Sequence, residues 1–420
     1  MFYLGLSLDW RANRPASARV VCACRAAGPV EAGAARVELR PPLPTVVAGY
    51  PPPRAIATSA EPLFARALAV RVGERSVAIA SAEVLEIPPS VVRRVRERAR
   101  AAGLAEVIVA ATHAHTSFGG YDPNLVAQVA ATGRYDAEQE ARLVEGLAQA
   151  IDRAFAARRP AILRAGQRTL AGVSRNRDAP EAGPDEALTG LFAEGADGAP
   201  IAAVFAFGCH PTLVARQGTR LDGDWPSWAA RRIEAAGGVA LFLQGVLGDA
   251  TATPPPGDGS GPERMGARVA EAVAETARSA EPVQAELALA TVEVSLPAAE
   301  ADAAVPRFLR RPTANLLNLL TPARAELTVL GLGRTFFLFT PAEPTAAAGR
   351  ALRERAQGAL PAGSRVALVS LAQGYVGYLE TPEAMAQGKG EARRTLFGPA
   401  LQERLGQGLA VGIAAAQATP

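Results

Sequence analysis

Three times along this 420-residue chain, an apolar run of strand length leads through a helix-length segment into a second apolar run. First, "ARALAVRVG" and "RSVAIASAE" read as a hairpin. "PPSVVRRVRERARAAG" opens on proline and closes on glycine, so it predicts a helix, and "EVIVAAT" is a short strand of the buried kind. The order recurs in "PIAAVFAFGCHP", "DWPSWAARRIEAAGG" and "VALFLQGVLGDAT". It recurs again in "AELTVLGLG" with "RTFFLFTPAE", then "PTAAAGRALRERAQG" and "RVALVSLAQGYVGYLE". The units fall near residues 64–117, 200–253 and 325–380. This alternation predicts an α/β fold, a layered mixed β-sheet with packed helices, in which three strand–helix–strand units converge on a metal site.

Ligand sites in such folds gather where strands run out into loops. His113, His210, Glu343 and Tyr378 each stand just after an apolar strand. The chain has only three histidines, and all three sit at such ends. If residues 113–115 stay extended, His113 and His115 face the same way. Both could then ligate a metal, or one could ligate while the other meets a substrate. Imidazole with carboxylate suits zinc, which keeps an open position for catalysis. A tyrosine near a dication loses its proton more readily, so Tyr378 is a reasonable further ligand.

A composition of 49% hydrophobic and 20% charged residues excludes disorder. The net charge of +3 and the absence of a basic cluster interleaved with aromatics argue against a nucleic-acid partner. No window reaches 18 apolar residues, so no transmembrane segment is expected. Cys22, Cys24 and Cys209 read as reduced thiols, since an isolated C-x-C is neither a zinc knuckle nor a disulfide framework. Residues 1–33 read as a poorly ordered N-terminal segment and 34–420 as a single domain. The chain as given carries no export signal and reads as cytoplasmic. Export or lipoprotein anchoring would need a different N-terminus. The oligomeric state is not legible.

The segments "AGAARVELRPPLPTVVAGY", "ATHAHTSFGG", "FGCHPT", "DGDWPSWAARRI", "LFLQGVLGDAT", "TPAEPTAAAGRALR" and "GYVGYLETPE…TLFGP" follow one another in the order seen in the neutral/alkaline ceramidase catalytic domain. The chain resembles that family over roughly residues 33–410. The resemblance implies Zn2+ held by His113, His210, Glu343 and Tyr378. It implies that His115 meets the reacting carbonyl region and that Arg177, in "SRNRDAP", stands beside the active site. It implies hydrolysis of N-acyl amide bonds in a small-molecule or lipid-like substrate.

Departures from the family pattern bear on which substrate. The serine assigned there as nucleophile is Thr251 in "GDATAT", Ala342 replaces a glycine before Glu343, and Gly390 stands where a second active-site tyrosine is expected. The family's C-terminal immunoglobulin-like domain has no counterpart here. These changes weaken ceramide as substrate more than they weaken metal hydrolysis. The expected nucleophile is therefore a zinc-activated water rather than the hindered Thr251 hydroxyl, with His115 and Tyr378 stabilising the oxyanion. An esterase on the same scaffold and a metal-containing binding protein are the competing readings. Asp224 reads as a turn or N-cap residue and Glu83 as structural, although Asp222, Asp224 and Glu83 all stand near enough in sequence to reach a metal. Asp249 is expected to shape its turn or orient a ligand. Arg393 and Arg394 read as solvated surface, and "LLNLL" at 316–320 as core packing.

Overall fold

The computed structural model describes residues 16–53, 55–100, 104–214, 219–300 and 306–418. The main elements in chain order are β1 (Ala18–Ala27), β2 (Val30–Leu39), β3 (Leu63–Val72), β4 (Arg75–Ala82), α1 (Pro89–Arg100), β5 (Glu106–Ala111), α2 (Ala137–Ala156), β6 (Arg159–Thr169), β7 (Ala187–Gly195), β8 (Pro200–Phe207), α3 (Asp224–Glu234), β9 (Val239–Gln244), α4 (Gly261–Arg278), β10 (Glu286–Ser295), α5 (Arg307–Leu320), β11 (Arg324–Leu332), β12 (Thr335–Phe339), α6 (Ala346–Ala359), β13 (Arg365–Val369) and α7 (Ala400–Ala418).

Strand alternation builds the layers. In β12, Phe337 and Phe339 face one core while Phe336 and Leu338 face another. In β3, Leu68 and Val70 share that first core while Ala65, Ala67 and Ala69 face the α1–α2 side. A period of two sends successive side chains to opposite faces. The result is two sheets face to face over a shared apolar layer, with helices on the outer faces. One sheet runs β1–β10–β11–β12–β13, and the longer runs β9–β8–β7–β6–β2–β3–β4–β5. Truncating Phe337 or Phe339 to alanine, both fully buried, is expected to cost about 3–5 kcal/mol.

Each of the three predicted units is a parallel strand pair joined by a helix. The pairs are β4 with β5, β8 with β9, and β12 with β13. The long sheet curls until its two ends approach, without closing a ladder. Ser81 Oγ donates to Phe242 O at 2.6 Å, and Gln244 Nε2 donates to Thr112 O at 3.1 Å. The other sheet is tied to the same place, because Ser370 N donates to Gln244 O at 2.8 Å and Gln373 N to Val109 O at 2.9 Å. The C-terminal ends of β5, β9 and β13 are thereby locked together, which brings the loops after all three units to one spot.

The start of ordered chain lies earlier than residue 34. Residues 1–15 of the predicted N-terminal segment lie outside the described residues, but β1 and the start of β2 fall within 16–33. β1 pairs along its length with β10, from Ala18 against Val294 to Ala27 against Glu286. Its partner is distant in sequence, so nothing local signalled the pairing. The three cysteines are free thiols. Among the described residues no helix is long and apolar enough to cross a membrane.

Candidate metal centre and its cavity

Apolar β5 ends at Ala111, and the chain turns sharply at His113, whose φ of 70° lies in the left-handed region. A residue without glycine's freedom holds such a conformation only where its surroundings enforce it. The expected extended geometry is therefore absent, yet the two histidines still meet. His115 Nε2 lies 3.0 Å from His113 Nε2, brought there by the turn and not by strand alternation. Gly49 supports the turn from behind. A Cβ there would sit 2.5 Å from His115 Cα, so only glycine permits the approach.

His210 follows β8 in the second unit. Glu343 follows β12 in the third, and Tyr378 lies opposite it in a short parallel pairing of Ala342–Pro344 with Gly377–Leu379. His113, His210 and Glu343 are buried. In each histidine ring, Nδ1 faces a backbone carbonyl: Leu85 O at 2.8 Å for His113, Gly49 O at 2.9 Å for His115, and Leu247 O at 2.9 Å for His210. Nδ1 therefore carries the hydrogen, and Nε2 is the lone-pair nitrogen of the neutral ring. Burial, followed by the neighbouring histidines, holds His115 well below the ordinary imidazole range, and burial likewise lowers His210. Burial alone would raise the Glu343 carboxyl, whereas positive charge at His113 and His210 holds it well below the usual range, a charge that a proton on Nε2 or a bound cation supplies.

Lone pairs thus face one another at a buried centre, an arrangement that a cation satisfies. One ligand nitrogen of each histidine lies within 4.8 Å of the others. Glu343 Oε2 is 3.3 Å from Nε2 of both His113 and His210, and it has no hydrogen-bond partner among the described residues. Two ligand atoms bound tetrahedrally to one zinc-sized ion stand roughly 3.4 Å apart. The donor set and its spacing fit a divalent metal. They do not by themselves assign His115, which stands as close to His113 as a ligand would.

Around the centre the charges are fixed by hydrogen bonds. Tyr375 Oη donates to Glu343 Oε1 at 2.5 Å. Arg177 Nη2 donates to Tyr378 Oη at 3.1 Å, Gly248 O at 2.7 Å and Glu391 Oε1 at 2.6 Å. Tyr378 Oη lies 3.3 Å from His210 Nε2. Burial and Glu343 push the Tyr378 phenol up, while Arg177 pulls it down. Burial also lifts the Glu391 carboxyl to about 7 against the pull of Arg177.

The centre opens into a cavity of about 820 Å³, lined in part by Val126, Ala130, Leu320, Val376, Leu396 and Phe397. His113, His115, Arg177, His210, Glu343 and Tyr378 all line it. Thr251 does not. It lies in the short strand Ala250–Ala252, bridged through the backbone to His210 and paired with Arg175, while Thr212 takes a place in the cavity wall.

The other candidates have structural partners. Glu83 pairs with buried Arg66 at 2.5 Å and accepts from Phe64 N. Asp224 Oδ2 accepts from Leu213 N and Val214 N and its Oδ1 from Trp225 N, and Asp222 Oδ1 accepts from Asp224 N. Asp249 takes Ala346 N at 2.8 Å and Asn176 Nδ2 at 2.7 Å, so it caps α6 and ties the second unit to the third. Arg394 is exposed, as expected, and it also borders the cavity and pairs with Glu391. One reading is corrected. Leu316 and Leu319 are 55% and 60% exposed instead of packed in the core, and Leu320 lines the cavity.

Sequence reasoning missed Tyr375, Thr212, Glu391, Glu86 and Asp122. The available signal was an acid set in an apolar or turn context, "VLEIPP" and "GGYDPN". Such a residue is seldom buried without a purpose.

Imidazole and carboxylate donors gathered at strand ends of an α/β fold and open to a cavity form a group that could hold a metal ion. The sequence profile of neutral/alkaline non-lysosomal ceramidase, N-terminal, matches residues 49–240. The structure is similar to that of neutral ceramidase from Pseudomonas aeruginosa, with a TM-score of 0.81 and 21% identity over 93% of this chain and 75% of that one. A structure described as ceramidase complexed with C2 matches with the same score, identity and coverage. At that identity the structures show a shared fold. No curated protein matches the sequence. The profile match and the shared fold together support the neutral/alkaline ceramidase family for this chain.

Proposed function

We propose that this protein is a zinc-dependent hydrolase of N-acyl amide bonds, acting through one catalytic domain on lipid-like N-acyl substrates other than ceramide itself. Family membership supports an amide-bond hydrolase. The observation that carries the metal reading is the clustering of three histidine nitrogens at the cavity wall, with two of them, on His113 and His210, 3.3 Å from Glu343 Oε2.

In this reading His113, His210, Glu343 and Tyr378 hold the ion. Bound zinc supplies Lewis acidity toward a carbonyl and lowers the pKa of a water. His115, neutral and fixed through Nδ1 to Gly49 O, presents a lone pair that can take up a proton. That role differs from the oxyanion donor expected of it, because a neutral ring held this way has no hydrogen on Nε2. Arg177 orients the Tyr378 hydroxyl, which donates to developing negative charge only where the phenol keeps its proton. One well-placed donor of this type is worth about 3–4 kcal/mol. Thr251, outside the cavity wall, is not the nucleophile.

The test is metal analysis of purified protein followed by fluorogenic N-acyl and O-acyl substrates of graded chain length. Stoichiometric zinc and N-acyl turnover that grows with chain length support the reading. Turnover confined to O-acyl substrates makes the protein an esterase. No turnover with zinc fully bound makes it a binding protein, and no bound divalent metal removes the centre altogether.

A further inference from the structure

One part of the cavity wall is not used by this chemistry. Glu86 lies just past β4 and is 1% exposed, and beyond the neighbouring acid Asp122 neither carboxyl oxygen has a hydrogen-bond partner among the described residues. Asp122, 6% exposed, is its electrostatic neighbour and uses Oδ1 to accept from Asn124 N. Both residues line the cavity that holds the metal centre. Leu85, the residue before Glu86, gives its carbonyl to His113 Nδ1, so the acids adjoin the reaction centre. Contacts run from Arg177 through Tyr378, His210 and Glu343 to His113 and Leu85. The arginine lies at one end of that chain and the acids at the other.

A buried carboxylate without a partner costs several kcal/mol. Burial raises both carboxyls above their ordinary values, and the Asp122 charge adds to the rise at Glu86. No arginine or lysine pairs with either acid among the described residues, although the cavity contains Arg177 and Arg394, which pair instead with Glu391. The acids are also not part of a metal-sized ligand cluster there. A primary ammonium brings a positive charge and three donors on a narrow stem. It satisfies two adjoining carboxyls better than a hydroxyl, which has one donor.

We infer that Glu86 and Asp122 form a subsite for a protonated amino group on the amine half of the substrate. The substrate class is then an N-acyl amide whose amine half bears a second, free amino group. The apolar wall of Val126, Ala130, Leu320, Val376, Leu396 and Phe397 takes the acyl chain. This assignment rests on the amide-hydrolase reading for its substrate, but not for its binding test.

Two measurements on the zinc-loaded, full-length protein separate the two ideas. Calorimetry compares butane-1,4-diamine with butan-1-amine, and kinetics compares N-dodecanoyl-butane-1,4-diamine with N-butyldodecanamide. The diamine is expected to bind at least about 10-fold tighter than the monoamine, and its amide to be preferred in kcat/KM by about 30-fold. Glu86→Gln and, independently, Asp122→Asn should each bring both ratios toward one, with thermal melting used to verify folding. Equal binding of the two amines by wild type overturns the subsite, and so does equal kcat/KM for the two amides. Glu86-dependent diamine binding without hydrolysis of either amide upholds the subsite and defeats the hydrolase reading.

Discussion

The two flanks of the cavity handle charge in opposite ways. On one, Arg177 and Arg394 share Glu391, and Arg177 also holds Tyr378 and the Gly248 carbonyl. Every charge there has a partner within the chain. On the other, Glu86 and Asp122 adjoin each other, and neither has a cationic partner among the described residues. A paired flank is finished by folding and serves to position. An unpaired flank leaves a cost that a ligand can remove, so it is where selectivity is expected to be read. The metal centre between them combines both features, since its rings are oriented by backbone carbonyls while their lone pairs stay free.

The largest effect should come from the centre that both flanks adjoin. His210→Ala or Glu343→Gln is expected to remove stoichiometric metal and lower kcat/KM by about 1000-fold or more, checked by elemental analysis and kinetics. Retained metal with normal turnover would break the assignment. Next is the paired flank. Arg177→Ala leaves Glu391 with Arg394 alone and frees Tyr378, so kcat/KM should fall about 100-fold and the melting temperature should drop. If only stability changes, Arg177 belongs to the scaffold. Tyr375→Phe deletes one hydrogen bond to Glu343 Oε1 and should weaken metal affinity by about 10-fold, seen in competition with a chelator.

A smaller effect sharpens the contrast through pH. The Glu391 carboxyl is lifted by burial to about 7, above its ordinary 4.5. Folding therefore favours its protonated form between those values. Its contribution to stability is fully present below pH 4.5 and is lost as pH rises through 7. Glu391→Gln removes this dependence, so the melting difference between variant and wild type should move in the variant's favour from pH 5 to pH 8. A difference that stays flat across that range would show that Arg177 already holds the group ionised. Smallest of all, Thr251→Ala should change kcat/KM by less than about 3-fold, within the range of ordinary surface substitutions. Complete loss of turnover with metal retained would restore the hydroxyl as nucleophile.

The residues that gather at the candidate metal centre were legible because their signal is local. An apolar strand followed at once by a histidine or glutamate states both where the chain turns and what it presents. His113, His210, Glu343 and Tyr378 could be named on that ground, and the three strand–helix–strand units with them. The reason given for the His113–His115 pairing was incorrect, because a strand end cannot announce a left-handed residue. The core packing expected of "LLNLL" failed similarly. Whether a side chain is solvated depends on which distant segment lies over it.

By itself the sequence determined the period of its strands, the helices between them and the residue types at their ends, since these follow from neighbours a few positions apart. Only the tertiary structure decided that Glu391 meets Arg177, that β1 adds to a sheet formed by the C-terminal half, and that Glu86 adjoins Asp122 with no cation beside them among the described residues. These depend on contacts between segments far apart in the chain. Burial and electrostatic cost are properties of the assembled surroundings, which no short stretch of sequence contains.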